Sequence, residues 1–483
     1  MASGLKQKTA KGLFWGGFSN SLQQLLAMGF GIVAARLLSD GDYGLIAMLG
    51  IFNVFASIII NGGFSIALIN KQDATDRDYN AVFWFALLTA IVLSIILCLG
   101  APLIAWWFNE PALIPLARVL FAAIPIGCLG IVPATILSKQ LKIKQQAVID
   151  ISSLIVSVIV GIIIILNGGK YWGLAVQGLI AGILYSIVRL IIVPWKPSLK
   201  IDFTPLKTFF SFSIKIVLTG IFQQINTSIF SLILGKYFGK NILGQFDRGQ
   251  SWVVKGNALI SGMINYVTQP VLAQLNDDRQ RQVKILRKLI RFGAFVSFPL
   301  MLGLAFVGKE FIIITIGEKW LPSVLVMQLF CLSGCIGFLC TLFSNLIYTR
   351  GKSNIYMNVT AGIGIAQIII AIVLSPWGII SMLTGYLLVY FAGLFVWHHY
   401  VYQLIGLRIK DVLKDILPYL GIVLVCLGIA WLVTLRIEHI ILLFVSKVII
   451  FAILYIFMLR ICNSTIFNES VGFFRNKGKE ITK

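Results

Sequence analysis

Long apolar runs recur along the whole chain, from Phe14 to Leu459. A helix crosses the hydrocarbon core of a bilayer with about 20 mostly apolar residues, and these runs are close to that length. The composition agrees, because 58% of the residues are hydrophobic and 12% are charged, whereas a soluble domain is about half apolar and about a quarter charged. The sequence therefore predicts an all-α polytopic membrane protein with almost no water-soluble domain.

Apolar runs bounded by charged residues, Gly or Pro predict about fourteen membrane-spanning helices. The predicted spans are residues 12–38, 43–69, 80–105, 113–138, 146–167, 171–195, 208–235, 249–274, 284–307, 321–348, 355–375, 377–402, 413–435 and 438–460. We expect the first span to be retained rather than removed as a secretory signal, because Ser19, Asn20 and Gln23 interrupt it and no clear cleavage pattern follows.

The distribution of positive charge predicts the orientation. With the N-terminus inside, both termini and the even-numbered connections hold about 28 of the 40 Lys and Arg residues, as the positive-inside rule requires. The net charge of +22 is thus a topology signal, and no basic patch interleaved with aromatic residues predicts nucleic-acid binding. We expect a multi-pass membrane protein with both termini in the cytoplasm.

A weak internal repeat has an offset of about 200 residues. Residues 35–44 and 235–244 each close a long helix and lead through a short polar turn and a Gly into the next helix. Six helices separate the equivalent points, so both halves enter the membrane in the same direction. The repeat predicts two pseudo-symmetric six-helix lobes around a central cavity. The predicted domains are residues 1–195, a cytoplasmic linker 196–207, residues 208–402, and two further helices with a basic tail in 403–483.

Few ionisable residues fall within the predicted spans, and most of these few are cationic. Charged groups at membrane depth are costly and usually face a wet interior, and Arg and Lys suit phosphate oxygens. We expect a cationic cavity for an anion such as a phosphate; its candidate residues are Arg118, Lys215, Arg248 and Lys255. The alternatives are extension to an interface or local pairing, as Asp247 with Arg248. Lys447 lies outside the repeat and is a weaker candidate.

Uncharged polar side chains cluster in the first helix of each lobe. The candidates are Gln23 and Gln24 in the first, and Gln223, Gln224 and Asn226 in the second. Amides at matching positions of the repeat could bond sugar hydroxyls in the cavity, and the alternative is hydrogen bonding between helices.

Motifs for catalysis, nucleotides and metals are missing from the sequence. Cys331 and Cys335 share a helix face, but no His or carboxylate near them in sequence completes a zinc set. Arg350-Gly351-Lys352-Ser353 imitates the end of a phosphate loop, yet Leu346 stands where the first Gly of that motif belongs. No Ser, His and acid set or paired carboxylates lie in a plausible pocket. We expect a transporter without cofactor or metal rather than an enzyme.

The N-terminal region also resembles a known family. Gly12-Leu13-Phe14-Trp15, the run from Ala34 to Ser39, and Asp42-Tyr43-Gly44-Leu45 are similar to the opening of Wzx-type polysaccharide flippases, of the multidrug/oligosaccharidyl-lipid/polysaccharide exporter superfamily. The resemblance implies alternating-access export of undecaprenyl-diphosphate-linked repeat units across the bacterial inner membrane, for O-antigen, capsule or exopolysaccharide. The partners it implies are that lipid-linked oligosaccharide, membrane lipids and other polysaccharide assembly proteins, with the protein acting as a monomer.

Other functions remain open from the sequence. A flippase for the peptidoglycan precursor lipid II would also be cationic. A multidrug exporter of the same superfamily would need carboxylates in the lobe interiors, and the predicted spans contain few acids. A membrane scaffold or a sugar polymerase is a further alternative, although a polymerase would need a large external loop.

Overall fold

The structure is a computed structural model that describes residues 2–71, 73–140, 142–273, 279–350 and 352–469. This part of the chain is helical, with short connections and no strand. The helices are α1 Ala2–Leu37, α2 Asp40–Asn61, α3 Phe64–Asn70, α4 Asp76–Phe108, α5 Leu113–Ala122, α6 Ile124–Cys128, α7 Ile131–Lys139, α8 Ile143–Leu166, α9 Tyr171–Ile192, α10 Leu206–Ala273, α11 Arg279–Phe306, α12 Gly308–Thr315, α13 Pro322–Thr349, α14 Ser353–Leu374, α15 Ile379–Ile405, α16 Ile409–Thr434 and α17 Ile440–Ile461.

Every predicted span coincides with helical residues, and the all-α membrane class is confirmed. Within the described residues, eleven helices are long and apolar enough to cross a membrane. The helices α1 and α10 are not among these eleven, and they carry the polar side chains noted in the sequence. The total of about fourteen spans therefore stays a prediction. The predicted basic tail, from residue 470 onward, lies outside the described residues.

Two predicted spans are interrupted. The second ends at Asn61 and resumes as α3, because Gly62 and Gly63 adopt positive φ angles of 51° and 71°, which Gly tolerates best. The fourth is divided into α5, α6 and α7. Pro125 lies in the first turn of α6, where a missing N–H removes no hydrogen bond.

Contacts divide the chain into two compact units, residues 1–244 and 245–483. In unit 1, α8 packs against α1 and α9, α4 packs against α5 and α6, and α3 packs against α7. In unit 2, α11 packs against α13 and α16, and α15 packs against α13 and α14. The lobe boundaries inferred from the repeat stay a prediction.

The segment predicted as the linker is fixed to α4 within unit 1. The Asn80 side chain accepts a hydrogen bond from the Ser198 N–H at 2.8 Å and donates one to the Lys200 carbonyl at 2.6 Å. Asp202 accepts hydrogen bonds from Thr204 and Arg77, which lower the pKa of Asp202 to about 2. The Asp202 carboxylate is therefore ionised throughout the physiological pH range. Together these hydrogen bonds hold residues 198–204 against α4.

The two repeat segments meet backbone to backbone in unit 1. A Cβ atom added to Gly44 would lie 1.9 Å from the carbonyl oxygen of Lys240, and one added to Gly244 would lie 2.0 Å from that of Asp40. The two contacts are equivalent under the repeat: adding 200 to Gly44 and to Asp40 gives Gly244 and Lys240. Since no side chain fits at either position, the contact, which we call the glycine crossing, requires Gly on both sides.

Neighbouring residues hold the glycine crossing in place. The Ser39 hydroxyl accepts a hydrogen bond from the Asp42 N–H at 3.2 Å, and the Asp42 carboxylate accepts one from the Ser39 N–H at 2.9 Å. This capping box fixes the start of α2. In the α10 segment of the contact, Lys240 pairs with Glu110 at 2.8 Å. Gly239, with φ of 78°, interrupts α10 just before the glycine crossing.

Ion pairs attach the last two helices to the rest of unit 2. Arg287 of α11 bonds the Asp415 carboxylate of α16 at 2.7 Å. Lys447 of α17 pairs with Glu310 of α12 at 2.8 Å, with side chains only 11% and 8% exposed. Since α17 otherwise has little buried surface, this second pair orients it against the unit.

Gly44→Ala should destabilise the protein, because the new methyl group overlaps a backbone carbonyl that cannot rotate away. Overpacking costs about 1–3 kcal/mol, and we expect a clearly lower thermal unfolding midpoint in detergent. Gly50→Ala is the matched control, since it lies on the same helix with nothing within 4 Å of its Cβ. Equal midpoints for the two variants would show that the glycine crossing does not contribute to stability.

Replacing both members of the Glu310–Lys447 pair should cost less stability than replacing one. Lys447→Met leaves a buried carboxylate unpaired, at a cost of about 3–5 kcal/mol, whereas adding Glu310→Leu removes that charge. We expect the thermal unfolding midpoint to fall for each single variant and to recover most of the loss in the double variant. A double variant that loses the sum of both single effects would mean that the two groups do not interact.

Candidate functional site

The candidate amides of the first helix lie on α1. The Gln23 amide nitrogen donates a hydrogen bond to the Ser19 hydroxyl at 2.9 Å, one turn earlier on the same helix. Gln24 is exposed. Gln23 is thus held by a local bond while Gln24 presents its amide at the surface of unit 1.

The equivalent amides lie on the first part of α10. The Gln224 amide donates a hydrogen bond to the Ser228 hydroxyl, again one turn away. The side chains of Gln223 and Asn226 lie outside the described residues, as does that of Lys215. In both helices, therefore, a candidate glutamine bonds a serine four residues away, Gln23 toward the N-terminus and Gln224 toward the C-terminus.

Two of the candidate cations lie together on the second part of α10, in unit 2. Arg248 donates a hydrogen bond to the adjacent Asp247 carboxylate at 2.8 Å, the local pairing considered as an alternative. The Lys255 ammonium lies 4.9 Å from the centre of the Trp252 ring. Arg248 and Lys255 are two helical turns apart and so share a helix face. Residues 245–258 contain these two cations and one carboxylate, so this stretch of the sequence has a net charge of +1.

Arg118 is the remaining candidate cation and lies on α5 in unit 1, where it is exposed. Its carbonyl oxygen is close to the Cys98 sulfur, at 3.6 Å. The amides and Arg118 belong to unit 1 and the pair Arg248 and Lys255 to unit 2. The shared cavity for all of them stays a prediction.

Sequence reasoning missed two ion pairs between helices, both largely shielded from solvent. Arg189 of α9 bonds the Asp150 carboxylate of α8 at 2.5 Å, with both side chains 17% exposed, and Glu310 pairs with Lys447. Asp150 and Arg189 each lie near the end of a predicted span and were not among the candidate residues. The signal that could have found them is opposite charge at matching depth in consecutive helices.

The described residues contain no group of three or more His, Cys, Asp or Glu side chains that could hold a metal ion. The cysteines Cys331 and Cys335 are buried and unbridged. In this part of the chain they are packing residues of α13.

Comparisons with known proteins agree with this architecture. TuaB of Bacillus subtilis (strain 168), a teichuronic acid biosynthesis protein, is 25% identical over 315 residues, which are 62% of this chain and 63% of TuaB. WzxC of Escherichia coli (strain K12), a lipopolysaccharide biosynthesis protein, is 22% identical over 361 residues, 73% of this chain and 72% of WzxC. The predicted relationship to Wzx-type proteins is confirmed.

A solved structure shares the fold. The lipid II flippase MurJ in an inward closed conformation superposes with a TM-score of 0.73 over 92% of this chain and 98% of MurJ, at 16% identity. This similarity confirms the predicted fold class. The family described as "Polysaccharide biosynthesis protein" matches residues 33–325. Because that match covers more than half of the 483 residues, the chain belongs to the polysaccharide biosynthesis protein family.

Proposed function

We propose that the protein is a flippase that moves undecaprenyl-diphosphate-linked oligosaccharide repeat units across the bacterial inner membrane, for O-antigen, capsule or exopolysaccharide. The observation that carries this proposal is the family match to polysaccharide biosynthesis proteins on a chain that has the fold of a lipid-linked sugar flippase. The named relatives belong to teichuronic acid and lipopolysaccharide biosynthesis.

The side chains suit the three parts of such a substrate. The excess positive charge of Arg248 and Lys255 favours a diphosphate, and the amides of Gln24 and Gln224 can bond sugar hydroxyls. The polyprenyl chain stays in the lipid while the polar head crosses. The two lobes then expose the cavity first to the cytoplasm and afterwards to the periplasm.

The proposal also covers the absence of catalysis, the oligomeric state, the orientation in the membrane and the partners. The protein binds, moves and releases its substrate without catalysis, acts as a monomer, and keeps both termini in the cytoplasm. Its partners are the lipid-linked oligosaccharide, membrane lipids and the enzymes that extend the exported polymer. The positive-inside distribution of Lys and Arg supports the orientation.

A lipid II flippase is the second candidate, favoured by the similarity in fold to MurJ. A multidrug exporter fits less well, because cationic drugs need free carboxylates. The buried acids Asp150 and Glu310 are each bound to a cation of the same unit.

Deleting the gene should abolish the surface polysaccharide and leave its lipid-linked precursor in the cytoplasmic leaflet. The measurement is extraction of surface polymer and of lipid-linked sugars, with the wild-type gene restored as control. Persistence of the polymer would contradict the proposal, and cell lysis on depletion would favour lipid II.

Neutralising both cations of α10 should impair export. A charge-assisted hydrogen bond contributes about 1.5–3 kcal/mol, so Arg248→Gln with Lys255→Gln should lower export by about 10- to 100-fold at unchanged protein level. The matched control is Lys410→Gln with Arg436→Gln, which removes two exposed charges. Full export by the Arg248 and Lys255 variant would remove these residues from the mechanism.

A further inference from the structure

An open pocket of about 350 Å³ lies in unit 1, beside the interrupted fourth span, and polar side chains form part of its mainly apolar lining. Its walls come from the end of α2, from α3, from the broken run α6 and α7, and from α9. The polar side chains on these walls include Asn61, Ser65, Thr135, Ser138, Tyr185 and Arg189. We call it the Arg189 pocket. Discontinuous helices often form substrate sites in transporters, because their breaks expose polar backbone groups.

Two hydroxyl groups on the walls of the Arg189 pocket, those of Ser186 and Thr135, already donate their protons within the protein. Ser186 donates a hydrogen bond to the Gly127 carbonyl at 2.7 Å, and Thr135 donates one to the Ile131 carbonyl at 2.9 Å. Each hydroxyl has only one proton to donate. Their oxygens therefore face a ligand as acceptors, which favours a ligand with several O–H donors.

Arg189 supplies the complementary donor. One terminal nitrogen of its guanidinium bonds Asp150 at 2.5 Å, while the buried Nε has no hydrogen-bond partner within the part of the chain that the structure describes. A buried N–H left without a partner costs about 1–3 kcal/mol. An acceptor oxygen from a ligand would recover that cost.

The charges of Arg189 and Asp150 cancel, and this decides the class of ligand. A free anion would meet Asp150 and a cation would meet Arg189, so neither gains a net attraction. A neutral ligand that both donates and accepts hydrogen bonds matches the walls. The Tyr185 ring, 5.7 Å from the guanidinium carbon, adds an amphipathic surface.

The Arg189 pocket also has room. A Cβ atom built on Gly127 or on Gly182, both on its walls, would meet nothing within 4 Å. The volume is at the lower end of the range for small-molecule sites, about 300–1,000 Å³, which suits a single sugar ring.

We propose that the Arg189 pocket binds one neutral sugar unit of the translocated oligosaccharide, and so selects among substrates by that sugar. This inference rests on the proposed flippase function. Arg189 Nε donates to a sugar oxygen, and the serine and threonine oxygens accept from its hydroxyls.

Filling the Arg189 pocket tests this assignment. Gly182→Leu places a side chain into the space, and Gly178→Leu is the matched control, because it lies one turn earlier on α9 and its Cβ also meets nothing within 4 Å. Arg189→Gln with Asp150→Asn is a second variant that keeps the net charge unchanged. Detergent-solubilised protein is probed by saturation-transfer NMR with the methyl glycosides of glucose, galactose, mannose, N-acetylglucosamine and glucuronic acid.

We expect a neutral glycoside to bind wild type and Gly178→Leu, with affinity reduced about tenfold or more in Gly182→Leu and in the double variant. Export in the deletion strain should fall in the same two variants. Unchanged binding in Gly182→Leu, strongest binding by the glucuronide, or no binding by any neutral glycoside would overturn the assignment. If the wild-type protein binds a neutral glycoside but its gene does not restore export in the deletion strain, the flippase function alone is refuted.

Discussion

Backbone N–H and C=O groups inside a bilayer find no water to bond, so the chain must satisfy them itself. This constraint explains both the helices of the structure and the places where they stop. Where the fourth span breaks, hydroxyls from neighbouring helices bond the carbonyls at the interruptions. Ser94 donates a hydrogen bond to the Phe121 carbonyl at 2.8 Å, and Ser186 donates one to the Gly127 carbonyl. The irregular backbone is thus stabilised by two serines of α4 and α9.

Charge inside the protein follows a similar rule, since an ion removed from water needs a partner. Asp150, Glu310 and Asp415 are each bound to a basic side chain of the same unit. These three acids are neutralised by pairing, while the whole sequence has 40 Lys and Arg residues against 18 Asp and Glu residues. That balance suits a negatively charged lipid head, and it is unfavourable for transport of cationic drugs.

The sequence predicts the helices well because a span in lipid needs one property, a long run of apolar residues. Such a run is visible in a short stretch of sequence. It also indicates the turn after α1, where Ser39 and Asp42 bond each other across three residues. The Arg189–Asp150 pair was not predictable in the same way, because its partners are 39 residues apart and each lies near a helix end. Pro125 lies at one interruption of the fourth span, but the serines that stabilise the breaks come from α4 and α9.

The glycine crossing has a consequence for motion. A contact made by main-chain atoms has no rotamers, so separating or re-forming it requires no side chain to change conformation and loses no side-chain entropy. The resistance to separation then comes from polar groups at its edge, such as the bond between Lys240 and Glu110. A joint of this kind can open with a low barrier and still close in only one register, because any sideways shift brings carbonyl oxygens into collision.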